Sequence, residues 1–267
     1  MEGFVGSRPS LSSDARFLVF SSGLEPSTQV WLCDLKMGTK ALLNSGGSFA
    51  DRPIISRDGK AIGYRERTGR REAIYSVRTL EPTRSRLVCA DCGEPLSWST
   101  DRTGLLYLRD AGLSLLDVET GSTRALFQRE RYQVFHASFS PEGRRIALVI
   151  RIPGKDKIQG VIAPFNGTVG NETTWTAVAE ETYELSMEWA PEGDALYYFN
   201  LRDGSRCLWK QKLDPSGFRP TGEPIGIRHF EHQRRYPSRG SAIAPAKDLI
   251  GVNLSEHLSN LYRLYLP

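Results

Sequence analysis

Cys89-Ala90-Asp91-Cys92 places two thiols at a spacing that lets a thiolate pair chelate zinc or close a local disulfide. A structural zinc needs a second pair. The other two cysteines, Cys33 and Cys207, stand singly in apolar stretches, where a free cysteine behaves as a small hydrophobe. The motif is therefore read as a surface thiol pair or a local disulfide, and no metal is assigned to it. His229-Phe230-Glu231-His232 would need one or two further ligands to hold a metal, and none stands at a fixed spacing. With Arg234, Arg235, Tyr236 and Arg239 close behind, the stretch reads instead as a loop of cations and aromatics suited to an anionic or peptide ligand. No Gly-x-Ser-x-Gly elbow, phosphate-cradling glycine loop or His-Glu-x-x-His run is present, so no catalytic residue and no cofactor are assigned.

Composition narrows the field further. The chain has 267 residues, of which 39% are hydrophobic and 25% charged, enough for a substantial core and unlike a disordered chain. Its formal charge of +4 is spread along the sequence rather than gathered in runs, which gives nucleic-acid binding little support. No apolar stretch reaches the roughly 18 residues of a membrane span. The opening Met1 to Gly6 has neither a basic start nor an apolar run, so no signal peptide is read. Cytoplasmic and extracytoplasmic placement, as part of a larger protein, both remain open, as does the oligomeric state.

The elements that must position these residues come from a repeat. One phrase recurs six times: Pro9 to Phe20, Pro53 to Tyr64, Leu96 to Tyr107, Ala137 to Leu148, Met187 to Tyr198 and Ser241 to Val252. Aligned on their turns, Asp14, Asp58, Asp101, Glu142, Glu192 and Ala246 are 44, 43, 41, 50 and 54 residues apart, the period of propeller blades. Each phrase alternates as two strands joined by a turn, with Asp58-Gly59, Pro141-Glu142-Gly143 and Pro191-Glu192-Gly193 as the turn formers. Third strands follow at 29–35, 73–77, 113–118, 158–164, 207–213 and 260–266. Fourth strands are clearest at 39–43, 86–88 and 123–127. A lone sheet of this kind leaves both faces apolar, whereas a ring of them buries each face against a neighbour. The expectation is one all-β domain over residues 1–267, a six-bladed β-propeller of four-stranded antiparallel blades. The blades fall near 7–43, 51–88, 94–127, 135–178, 185–227 and 239–267, the last completed by an N-terminal strand at Glu2 to Gly6.

Pro53-Ile54-Ile55-Ser56-Arg57-Asp58-Gly59, Ser97-Trp98-Ser99-Thr100-Asp101, Phe139-Ser140-Pro141-Glu142-Gly143 and Trp189-Ala190-Pro191-Glu192-Gly193 resemble the repeats of the TolB-type (WD-like) β-propeller family. The chain is also similar to C-terminal propeller segments of bacterial regulatory proteins. That resemblance implies a scaffold shared by interaction modules, peptidase-associated propellers and lyases, and so does not fix an activity.

In such a ring the residues just ahead of the inner strands surround the channel mouth. They are Arg8, Asp51, Arg52, Glu94, His136, Glu184 and Arg239, mixed charges converging on one concavity, the usual mark of a ligand site. His229, His232, Arg234, Arg235 and Tyr236 join them as loop candidates. The sequence thus points to a non-enzymatic binding module, the sensor or docking part of a larger protein, whose mouth meets a protein partner or a small anionic ligand. The alternative is an enzyme acting in the channel on an anionic carbohydrate or peptide, with Glu184, Glu188 and His136 as acid–base candidates.

Overall fold

The computed structural model describes residues 7–23, 27–44, 48–127, 130–154, 156–181, 185–201, 206–215, 218–230, 235–237 and 243–256. Five antiparallel four-stranded sheets follow one another along the chain. The first blade holds β1 (Ser7–Leu11), β2 (Phe17–Ser22), β3 (Gln29–Asp34) and β4 (Thr39–Leu42). The second holds β5 (Phe49–Ile55), β6 (Ala61–Thr68), β7 (Arg71–Arg78) and β8 (Arg86–Ala90); the third β9 (Glu94–Trp98), β10 (Gly104–Arg109), β11 (Gly112–Asp117) and β12 (Thr123–Phe127). The fourth holds β13 (Gln133–Phe139), β14 (Arg145–Arg151), β15 (Ile158–Pro164) and β16 (Thr176–Glu181); the fifth β17 (Ser186–Trp189), β18 (Ala195–Asn200), β19 (Cys207–Lys212) and β20 (Ile225–His229). Among the described residues four short strands follow: β21 (Arg235–Pro237), β22 (Ile243–Ala246), β23 (Leu249–Val252) and β24 (Leu254–Glu256), paired β21 with β24 and β22 with β23. No helix among the described residues is long and apolar enough to cross a membrane.

The count of six four-stranded blades is therefore corrected to five blades and a partial sheet. β22 takes the sixth place in the ring, packed between β17 and β1, with Lys247 N–H donating to the Ser13 carbonyl at 2.9 Å. Physical reasons lie in its phrase. Ala246-Lys247-Asp248 lacks the turn acid that Asp14, Asp58, Asp101, Glu142 and Glu192 supply in the other units, and β22 packs against Leu11 through two alanines, Ala244 and Ala246. The expected third strand at 260–266 and the N-terminal strand at 2–6 both lie outside the described residues.

The repeated serine explains why the phrases fold alike. Ser12, Ser56, Ser99 and Ser140 each accept, through Oγ, the backbone N–H of the residue that opens the next strand, at 2.9, 2.9, 2.8 and 3.0 Å. In the first three blades the same hydroxyl donates to the turn aspartate, Asp14, Asp58 or Asp101. Those acids are turn formers, and their hydrogen bonds from Ser12 and Ser99 hold Asp14 and Asp101 below the ordinary carboxylate range. Ser140 is fully buried, and its Oγ also donates to the Arg145 carbonyl at 3.2 Å. Ser140→Ala leaves that strand opening unsatisfied. It is expected to lower stability by about 1–2 kcal/mol, read as a melting temperature a few degrees lower by circular dichroism.

The core is not one mass but a set of wedges between blades. Val19, Val30, Ile62 and Tyr64 fill the wedge between blades one and two; Leu106, Leu113, Ile146 and Leu148 fill that between three and four. Tryptophans of the repeat tie blades together. Trp98 Nε1 donates to the Ile54 carbonyl at 3.4 Å and Trp189 Nε1 to the Ser138 carbonyl at 3.2 Å, each reaching the inner strand of the preceding blade. The 50-residue spacing after Glu142 comes from an insertion between β15 and β16, whose Trp175 packs on Phe127 of the neighbouring blade and on Tyr132, just ahead of β13 in its own.

Candidate functional site

The innermost strands β1, β5, β9, β13, β17 and β22 line a central cavity of about 140 Å³. At one end are the openings of these strands, and there the register is broken. Bulges fall between Ser7 and Ser10 in β1, between Asp51 and Ile54 in β5 and between Val134 and His136 in β13. An extra residue at a bulge bends the strand and re-aims a side chain. Arg8 and Arg52 are those residues, both just ahead of a proline and both in left-handed backbone, φ 52° and 55°. Such a conformation costs a non-glycine residue about 1–2 kcal/mol, and it appears here twice at equivalent places.

The consequence is convergence. Arg8 Nη1 lies 3.1 Å and Arg52 Nη1 2.7 Å from the same atom, Glu94 Oε1, so blades one, two and three meet on a single carboxylate. Glu94 opens β9 after a rigid approach. Cys89 and Cys92 form a disulfide, Asp91 is left-handed at φ 57°, and a Cβ on Gly93 would stand 2.0 Å from the Leu108 carbonyl oxygen. Both bonded cysteines are buried, which corrects the surface placement expected for them; Cys33 and Cys207 are free and buried. Burial pushes the Glu94 carboxyl above its ordinary value; Arg8, Arg65 and His136 draw it down, and Asp51 pushes it up.

The other expected residues divide. His136 lines the cavity, with Nε2 2.7 Å from Oε1 of Glu188, which also lines it. Asp51 serves behind the wall, accepting a two-pronged bond from Arg65 at 2.8 and 2.7 Å. Burial opposes the charge on Arg65, yet Asp51, Glu72 and Glu94 hold its guanidinium above the ordinary value. His229 ends β20, the exposed outer strand of blade five, with its ring against Trp209, and does not line the cavity. The backbone of Arg235 and Tyr236 lies in β21. Glu184, His232, Arg234 and Arg239 lie outside the described residues. Among the described residues, no three His, Cys, Asp or Glu side chains gather closely enough to hold a metal ion.

Sequence reasoning passed over Arg65 and Arg57. Arg65 could be found only through register, since it sits opposite Asp51 across the β5–β6 pair. Arg57 carried a plainer signal. It lines the cavity at the turn end, where the aligned phrases otherwise have Ser13, Thr100, Pro141, Pro191 and Pro245.

No protein-family model matches the chain, and no curated protein matches it. Solved structures do. TolB from Acinetobacter baumannii superposes with a TM-score of 0.60 at 19% identity over 76% of this chain, which spans only 51% of that one. A putative TolB from Agrobacterium tumefaciens gives 0.61 at 17% identity, covering 84% of this chain and 80% of that one. Oligogalacturonate lyase from Vibrio parahaemolyticus gives 0.55 at 16%, covering 90% and 67%. At these identities the likeness speaks to architecture alone, and with the blade arrangement it establishes that the chain has a TolB-like β-propeller fold.

Proposed function

We propose that the chain is a non-enzymatic binding module that seats the anionic group of a small ligand or a protein partner in the channel mouth, as the sensor or docking part of a longer protein. One observation carries this reading. Arg8 and Arg52 are held in an unfavourable backbone conformation so that both guanidiniums point at one carboxylate, the arrangement that recognises a carboxylate arriving from outside. Glu94 then acts as the resting occupant. A rigid ring with its recognition groups on strand ends loses little freedom on binding, which favours affinity.

The double variant Arg8→Gln, Arg52→Gln tests it. Isothermal titration with small carboxylates and short acidic peptides is expected to give binding at least tenfold weaker than in the unaltered protein, because charge-assisted bonds are each worth about 1.5–3 kcal/mol. Equal binding would remove the mouth as the site.

A second reading rests on His136 and Glu188. A carboxylate 2.7 Å from an imidazole orients it for proton transfer, and both line the channel. It supports an enzyme acting on an anionic carbohydrate or peptide. Turnover of uronates or short peptides that disappears in His136→Ala would favour it over simple binding.

A further inference from the structure

The channel carries another cation, at the end away from the mouth. Arg57 follows β5 and lies five residues beyond Arg52, roughly 15 Å along the strand. Its guanidinium crosses the ring: Nη2 donates to the carbonyl of Pro191, in the turn after β17. Blades two and five face each other across a ring of six places, so this contact closes the floor of the channel instead of joining neighbours. A guanidinium has five N–H donors. The partner of Arg57 is a neutral carbonyl, while the carboxylates that act on it, Glu188, Glu192 and Glu142, do so through space. Burial pulls its pKa below the ordinary value, against the effect of those three acids. Between floor and mouth, Ser138 lines the cavity, and its buried Oγ has no hydrogen-bond partner among the described residues.

We propose that the channel takes a small elongated dianion, a dicarboxylate, with one carboxylate between Arg8 and Arg52 in place of that of Glu94 and the other on Arg57. This rests on the mouth being a binding site and adds what that site selects. Charge favours it. Three guanidiniums against the carboxylates of Glu94 and Glu188, the latter already engaged by His136, leave the lining one positive charge in hand. A proton taken up by Glu94 as it is displaced makes two, the charge of a dicarboxylate. Size favours it as well: a cavity of about 140 Å³ has room for something on the order of ten water-sized groups, which suits a diacid of about six to eight carbons. The Ser138 hydroxyl would find an acceptor along the way. A chain threaded from face to face is excluded by Arg57, so whatever enters presents a free end.

Calorimetric titration of the unaltered protein with succinate, glutarate, adipate and suberate, each beside the monocarboxylate of equal carbon number, tests the proposal. An optimum diacid length is expected, with affinity at least tenfold above its monocarboxylate. In Arg57→Gln that ratio should fall to about one, and Arg57→Lys, which keeps the charge without the fork, should restore part of it. Melting temperatures of both variants establish that they are folded, and the length profile needs no variant. Equal affinity for mono- and dicarboxylates in the unaltered protein, or an undiminished ratio in a folded Arg57→Gln, overturns the second anchor while leaving the mouth as a site. Lack of binding by any of the eight acids overturns the dianion; the peptide arm of the Arg8/Arg52 experiment then decides the mouth separately.

Discussion

Glu94→Gln is expected to tighten carboxylate binding at the channel mouth by roughly tenfold to a hundredfold with the fold intact. Glu94 bonds both arginines through one oxygen, so an incoming carboxylate must first break those bonds. Removing the internal competitor removes that opposition, worth about 1.5–3 kcal/mol for a hydrogen bond to a charged group. Stability should change little. Burial holds the Glu94 carboxyl above its ordinary value despite Arg8 and Arg65, a neutral side chain of the same shape keeps the packing, and Arg8 and Arg52, 34% and 23% exposed, retain access to water. The sign of the pH dependence follows from the same shift. A carboxyl with a folded-state pKa above the unfolded one contributes stability that is full below the unfolded value and is lost as pH rises through the folded value. Displacement by a ligand favours protonated Glu94 further. In the unaltered protein, affinity therefore rises as pH falls from neutrality toward the titration of Glu94, until the ligand itself is protonated. In Glu94→Gln the part of that slope due to Glu94 disappears, leaving what His136 contributes from the same cavity. Titrations of a single diacid between pH 5 and 8 read both effects, and a variant that binds no more tightly than the parent would mean that the arginines serve only to hold Glu94.

Trp189→Ala is expected to cost about 3–5 kcal/mol, the range for deleting a large buried aromatic side chain. Trp189 is 2% exposed, packs with Met187, Leu196 and Ala147, and meets Phe218 edge-on at 6.0 Å. Its indole N–H also bonds the Ser138 carbonyl, so the substitution empties a wedge and cuts a tie between blades four and five. At about 2–4 °C per kcal/mol for a chain of this size, the melting temperature should fall by roughly 10 °C. Ser138 and Pro191 flank this tie, and the latter is the acceptor of Arg57. Diacid selectivity should therefore suffer before binding of a single carboxylate at the mouth. A melting temperature within two or three degrees of the parent would mean that the wedges contribute less to the ring than their burial implies.

Much of the ring is legible in the sequence because its glue is local. The Ser-x-Asp and Ser-Pro-Glu-Gly phrases carry their own hydrogen bonds within six residues, and Trp98 and Trp189 stand where the period demands a cross-blade contact. The sixth unit misleads for the same reason: Pro245-Ala246-Lys247 keeps the length of the phrase but loses the turn acid, and two alanines stand where β22 meets Leu11. Arg8, Arg52, Glu94 and His136 line one cavity, each within the first residues of an inner strand rather than ahead of it. Their pairing is not legible in the sequence, since it depends on bulges that turn two arginines through left-handed backbone, and no side-chain pattern reveals a bulge. The pairing of Asp51 with Arg65 is set by register across a hairpin, which no local pattern shows. Arg57 was readable but masked by its neighbours: beside Asp58 and Gly59 it looks like one more turn residue until the six phrases are compared column by column.

The left-handed backbone at Arg8 and Arg52 also bears on what relatives of this chain should carry. Glycine, or asparagine, relieves such a position at once, so drift under selection for folding alone runs toward those residues and away from arginine. A propeller of this lineage that has changed its ligand should hold glycine or asparagine ahead of the two inner-strand prolines and lose the acid at position 94 with them. One that shares the ligand should keep all three together. Residues 8, 52 and 94 are thus expected to change together among relatives, which an alignment of this region would check.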